Sequence, residues 1–96
     1  MTHPLAQAKA ETVAAQALAW IAGEADLLQV FLGATGASES DVKTQMAEPA
    51  FLGSVLDFLM MDDDWVVRFC DTVGLAYDQP MRARAGLPGG AQVHWT

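Results

Sequence analysis

The chain has a single cysteine, Cys70, so no disulfide can form within it. That suits a reducing compartment, and the cytoplasm is the expected location. Cations are scarce: five Lys and Arg against twelve Asp and Glu leave a formal charge of -7. Such a balance opposes nucleic acid and anionic membrane surfaces as bulk partners. Long apolar runs are missing too. The longest uncharged helical run, Thr12 to Gly23, is too short and too alanine-rich for a bilayer that takes ~20 apolar residues to cross. The first residues lack a basic start followed by an apolar core, so no secretory signal is expected. No strand-like alternation and no Asn-Gly hairpin signal occurs anywhere.

What is present is a helical pattern. With 96 residues there is room for one domain and one core. Hydrophobic residues make up 52% of the chain, yet seventeen of them are alanines, which bury little area. The leucines, valines, phenylalanines, methionines and tryptophans must therefore supply the core. Their surplus in so short a chain leaves a homodimer open.

The stretch from Glu48 to Gly74 carries the strongest signal. Pro49 suits the first turn of a helix, where its missing N–H costs nothing. Leu52, Val55, Leu56 and Leu59 follow at helical spacing, and Phe51 and Phe58 widen the stripe. Only Gly53, Ser54 and Asp57 form a polar strip, as expected of a central, largely buried helix. The acidic corner Asp62-Asp63-Asp64 then offers a cap to the next helix and suits its positive dipole end. That helix places Val66, Phe69, Cys70 and Val73 on one face, with Trp65 beside them. Asp64, Arg68 and Asp71 lie opposite, Asp64 and Arg68 being spaced as an i, i+4 pair. Gly74 can take the left-handed position that ends it.

Around this stretch the sequence predicts further short helices. Pro4 to Ala22 is alanine-rich, with its first turns expected to be exposed and its last turns docked through Val13, Ala17, Leu18, Trp20 and Ile21. Glu24 and Asp26 open a helix carrying Leu27, Leu28, Val30, Phe31 and Leu32, closed by Gly36. Ser38 to Asp41 resembles a capping box with Asp where Glu is usual. The helix after it is expected to turn Val42 and Met46 inward and to pair Glu39 with Lys43 outside. Asp78-Gln79-Pro80 starts a last helix with Met81, Arg82, Arg84 and Ala85, stopped by Gly86. The expected fold is all-α, a compact bundle of five to six short helices over residues 1–86. Residues 87–96 form a C-terminal tail.

The chain also matches itself without gaps at an offset of 38. Leu18 falls on Leu56, Trp20 on Phe58, Ile21 on Leu59, Glu24 on Asp62 and Asp26 on Asp64. Leu28 falls on Val66, Phe31 on Phe69, Gly36 on Gly74 and Ala47 on Ala85. Either the chain holds two pseudo-repeated three-helix units, or two helical hairpins obey the same capping rules.

Several of these segments together resemble a known family. They are Ala19 to Glu24, Asp26-Leu27-Leu28, Phe31-Leu32, Thr35-Gly36, Pro49 to Leu52, Val55 to Leu59, Leu87 to Gly90 and His94-Trp95-Thr96. The chain is similar, over nearly its whole length, to a bacterial family catalogued as domain of unknown function 3572. The resemblance implies a small, soluble helical protein of the bacterial cytoplasm. It brings no activity, cofactor or catalytic residue with it, and it suggests a signalling-linked adaptor. The run of three aspartates after Met60 and Met61 is more charged than that family would suggest.

Candidate sites are few. Thr35 to Thr44 resembles the turn and recognition-helix start of a helix-turn-helix regulator, the alternative reading. But Leu32 stands where a small residue is wanted, and Ala34 and Thr35 stand where bulky apolar ones are. Lys43 is the one cation there, beside Asp41 and Glu48, whereas phosphate contacts dominate DNA affinity. Asp62 to Asp64 lacks the alternating ligands, glycine and distal glutamate of an EF-hand. Cys70 lies on the inward stripe and is expected to be buried filler. His3 and His94 have no ligand spacing. No catalytic, cofactor-binding or metal-binding residue is therefore assigned, and neither enzyme activity nor a small-molecule substrate is expected.

Three residues remain as candidates for docking a partner: Arg82, Arg84 and Trp95. The two arginines suit a solvated position at a helix C-terminus or a contact with an acidic partner. Trp95 can fold back on its own domain after Pro88-Gly89-Gly90, stay disordered, or anchor in a partner. The expected function is a non-catalytic interaction module or adaptor, acting on an unknown protein partner or as a homodimer.

Overall fold

The computed structural model describes residues 3–88, apart from the side chain of Ala25. It contains six helices and, among the described residues, no strand: α1 (Gln7–Gly23), α2 (Ala25–Thr35), α3 (Glu39–Gln45), α4 (Pro49–Leu59), α5 (Asp63–Val73) and α6 (Gln79–Ala85). The capping residues act as their chemistry suggests. Ser38 Oγ accepts from Asp41 N at 3.1 Å while Asp41 Oδ2 accepts from Ser38 N at 3.0 Å, a complete capping box. Asp62 Oδ1 accepts from Asp64 N at 2.8 Å and starts α5. Gly36 and Gly74 end α2 and α5 at φ 75° and 77°, in the left-handed region where a Cβ is penalised.

α4 is buried as expected, through Leu52, Val55, Leu56, Phe58 and Leu59. α1 is a second hub, packed against α2, α4, α5 and α6. Here the structure corrects the sequence reading, because the early turns of α1 are docked as well. Ala10, Val13, Ala14 and Ala17 are buried along with Leu18 and Ile21, and so is Leu5 ahead of the helix. The reason is size. Ala10, Ala14 and Ala17 have no exposed surface, and side chains this small let neighbouring helices come close.

The offset of 38 reappears in part of the fold, although α1 packs on α2 far more than α4 packs on α5. α2 and α5 have the same bounds once shifted by 38 residues. The aromatic contacts are reciprocal. Trp20 of α1 meets Phe69 of α5 edge-on at 6.1 Å, and Phe58 of α4 meets Phe31 of α2 edge-on at 5.2 Å. Trp20 corresponds to Phe58, and Phe31 to Phe69. Each unit thus inserts the same aromatic into the same place on the other, the self-complementary pattern of a two-fold dimer. Such pairs add about 0.5–1.5 kcal/mol each beyond area burial.

The third helices break the symmetry. α3 has no fully buried residue, and Met46, expected inward, is 54% exposed. Val42 does pack against the core. Glu39 and Lys43 are exposed and form none of the ion pairs among the described residues. α6, in contrast, packs on α1 and α4 and buries Pro80 and Ala83. The chain ahead of α1 holds it there: Leu5 N donates to the Arg82 carbonyl at 3.0 Å, and Arg82 Nε donates to the His3 carbonyl at 2.9 Å. Leu87, assigned to the tail by sequence, is buried in the core, because this seat continues past the end of α6.

Gly86 marks the tightest approach. A Cβ there would run into the Leu5 carbonyl oxygen, backbone that cannot move aside. Gly23 has open space around it. In urea unfolding, Gly86→Ala is expected to cost about 2 kcal/mol or more. Gly23→Ala is expected to be neutral or to stabilise by about 0.5 kcal/mol.

Candidate functional site

The end of α4, the start of α5 and the start of α6 enclose an open groove of about 250 Å³, lined by Met60, Asp63, Val66, Tyr77, Pro80 and Met81. Local structure sets each side chain in place. Met60 caps α4, and the Asp62 corner turns the chain so that Val66 faces back towards the groove. Gly74 then reverses the chain after α5. The Tyr77 hydroxyl donates to Asp71 Oδ1 at 2.7 Å and holds its ring at the rim. Pro80 sits in the first turn of α6, followed by Met81. Tyr77 is 56% exposed and Met81 48%.

A second groove, of about 150 Å³, is lined by Ala22, Leu28, Glu39, Val42 and Lys43. All five of these residues lie 38 positions before a residue of the first groove. Ala22 corresponds to Met60, Leu28 to Val66, Glu39 to Tyr77, Val42 to Pro80 and Lys43 to Met81. The two grooves are thus lined largely by sequence-equivalent positions. The larger one has Tyr77 and Met81 where the other has Glu39 and Lys43, Met60 where it has Ala22, and Asp63 in addition.

A further concavity, about 370 Å³, lies between α2 and α5 and is lined by Glu24, Asp26, Leu27, Val30, Trp65 and Arg68. Its charges are largely spent on one another. Arg68 Nη2 binds Glu24 Oε1 at 2.8 Å, approaches Asp64 at 3.9 Å through Nη1 and stacks over Trp20 at 5.5 Å. Glu24 is thus a closer partner of Arg68 than the expected Asp64.

The two arginines predicted for partner docking are engaged inside the chain. Arg84 has only 16% of its side chain exposed; its Nε donates to Asp57 Oδ1 at 2.7 Å and its Nη1 to the Pro88 carbonyl at 3.0 Å. Its guanidinium also covers Gly53, where a Cβ would come within 2.8 Å of Nη1. Gly53, read from sequence as part of a polar strip, is buried for this reason. Arg82 is bound to the His3 carbonyl and lies 3.9 Å from Asp78. Neither side chain is the solvated charge the sequence suggested, because α6 has structure on both flanks. Trp95 and His94 lie outside the described residues.

Cys70 is buried, and its Sγ donates to the Ala76 carbonyl at 3.5 Å. Burial pushes its thiol above the ordinary range, and the charges of Asp71 and Asp78 push it further. The hydrogen bond to Asp71 likewise raises the Tyr77 hydroxyl. A raised thiol is a poor nucleophile at neutral pH. Among the described residues, no three His, Cys, Asp or Glu side chains are grouped to hold a metal ion. No polar or charged side chain there is fully buried. The α3 segment that resembles a recognition helix carries Lys43 as its one cation, against Glu39 and Asp41.

Helix packing defines a small all-α bundle of six helices among the described residues. The chain matches the family model described as Protein of unknown function (DUF3572) over residues 7–90, and it belongs to that family. No curated protein and no solved structure matches it. No single helix among the described residues is long and apolar enough to cross a membrane; α1 and α2 reach that length only as a pair bent by 119°.

Two outcomes test this description. Arg84→Gln removes both the Asp57 pair and the cover over Gly53, and is expected to cost about 1–2 kcal/mol in urea unfolding. Arg84→Lys is expected to recover little, since an ammonium lacks the planar fork that serves two partners at once. The second concerns pH. The unfolded thiol ionises near its ordinary pKa of about 8.5, while folded Cys70 keeps its proton to higher pH. Above that value the unfolded state binds fewer protons than the folded state, so stability falls as pH rises. The thermal midpoint is expected to decline from about pH 8.5 upward, and to decline less in Cys70→Ala.

Proposed function

We propose that the protein is a non-catalytic protein-interaction module, an adaptor whose working surface is the groove of Met60, Val66, Tyr77, Pro80 and Met81. One observation carries this reading: at the positions equivalent to Glu39 and Lys43 of the other groove, this one presents Tyr77 and Met81, both exposed. Charged residues keep a surface in water at no cost to folding. An exposed tyrosine and methionine in their place suit contact with another molecule. Methionine adapts its shape to different apolar partners, and tyrosine offers an apolar body with a polar tip.

Size supports the same reading. About 250 Å³ falls below the range of roughly 300–1,000 Å³ that buries a small molecule. An open groove of this size takes one or two side chains of a partner. A reducing compartment such as the cytoplasm suits a chain whose one cysteine, Cys70, is a buried free thiol.

Affinity capture from native lysate tests the proposal. The protein is expected to enrich a partner that Met81→Lys and Tyr77→Lys lose and that Glu39→Gln, in the other groove, retains. Equal enrichment by all four proteins would remove the groove from the argument. Enrichment of the protein alone would leave self-association as the simpler account.

A further inference from the structure

The groove of Met60, Val66, Tyr77, Pro80 and Met81 also says what kind of segment it takes. We infer that its occupant is an amphipathic helix of a partner protein, with lysine or arginine flanking an apolar stripe. This rests on the interaction reading above and goes on to name the chemistry of the partner.

The charge around the groove carries the inference. Asp63 lines it directly, between the corner residues Asp62 and Asp64. Asp71 touches the Tyr77 hydroxyl at the rim, and Asp78 follows Tyr77 in the chain. No cation lines the groove. The nearest in sequence, Arg82, is bound to the His3 carbonyl and faces Asp78. The other groove is lined by a cation, Lys43, and Ala25 occupies the position equivalent to Asp63. The groove of α4–α6 thus sets the exposed side chains of Tyr77 and Met81 beside an acidic border. Apolar anchors in the groove with cations over the border match both features.

The other occupants fit less well. A second copy of the chain would bring the same acidic border against itself, with a formal charge of -7 on each molecule. Anionic lipid and nucleic acid meet the same repulsion. An added β-strand has no sheet edge to join among the described residues. A helix laid into a groove between helices presents its anchors at i, i+3 or i+4 and i+7, a spacing that suits a shallow, open groove.

The test uses the full chain and a synthetic probe. The probe is a fluorescent leucine/lysine peptide of about 14 residues with helical periodicity. Two controls accompany it: the same composition scrambled to destroy the periodicity, and a leucine/glutamate counterpart. Binding is read by fluorescence anisotropy at about 50 and about 300 mM salt. The periodic leucine/lysine peptide is expected to bind at least about tenfold tighter than either control, and more weakly at high salt. Met81→Lys and Tyr77→Lys are each expected to weaken it at least about tenfold. Glu39→Gln, which changes net charge by the same amount as Met81→Lys, is expected to change it less than about twofold. Both positions are exposed, and circular dichroism of each variant checks that the fold is kept.

Equal binding of the scrambled peptide would overturn the helix, and an equal loss in Glu39→Gln would reduce the effect to bulk charge. An absence of binding would overturn the inference. If lysate capture still depends on Tyr77 and Met81 while the peptide fails to bind, the occupant is wrong and the interaction reading stands. If neither depends on them, both fall.

Discussion

α1 and α4 bury their apolar stripes against each other, and the other helices are placed by that contact. Small side chains on α1 allow it. Ala10, Ala14 and Ala17 have no exposed surface, which is how an alanine-rich helix serves as a hub despite its small apolar area per residue. From this pair the reciprocal aromatics follow. Trp20 reaches α5 and Phe58 reaches α2, so each hairpin is held by a ring from the other unit. These two aromatic contacts are reciprocal, though the helices around them pack differently. The two halves of the chain share one core, from Leu5 to Leu87.

Reciprocity of this kind leaves each unit free to diverge at its third helix. α6 took on structure: it lies against α1 and α4, ties down Leu5, and holds Arg84 over Gly53. α3 stayed at the periphery with its capping box and charged surface. The grooves diverged alongside them. Where α3 presents Glu39 and Lys43, α6 and the turn before it present Met81 and Tyr77. The candidate interaction surface thus borders the third helix that packs on both α1 and α4.

Much of the fold was legible in the sequence, because local chemistry decides it. Ser38 with Asp41, Asp62, Gly36 and Gly74 each act within four residues of themselves, and all were read correctly. Periodicity was enough for the buried faces of α4 and α5. What escaped were contacts between distant residues. Nothing local shows that Arg84 would cross to Asp57, that Arg68 would prefer Glu24 to Asp64, or that Gly86 would meet Leu5. Small residues hid the docking of α1, since alanine gives little hydropathic signal whether buried or exposed. The groove was half legible. The offset of 38 was in the sequence, and Glu39 opposite Tyr77 and Lys43 opposite Met81 follow from it. That these positions line a shared concavity depends on how three helices meet, which no single stretch of sequence encodes.

The bond from Leu5 to the Arg82 carbonyl joins segments at opposite ends of the described chain. It matters for the order of events during synthesis. Leu5 and the face of α1 around Ala10 have no seat until residues 79–87 have left the ribosome. Docking of α1 on α4 and α2 shortens the loop that this last bond must close. The seat of Leu5 is thus completed only once the last described helix has been made.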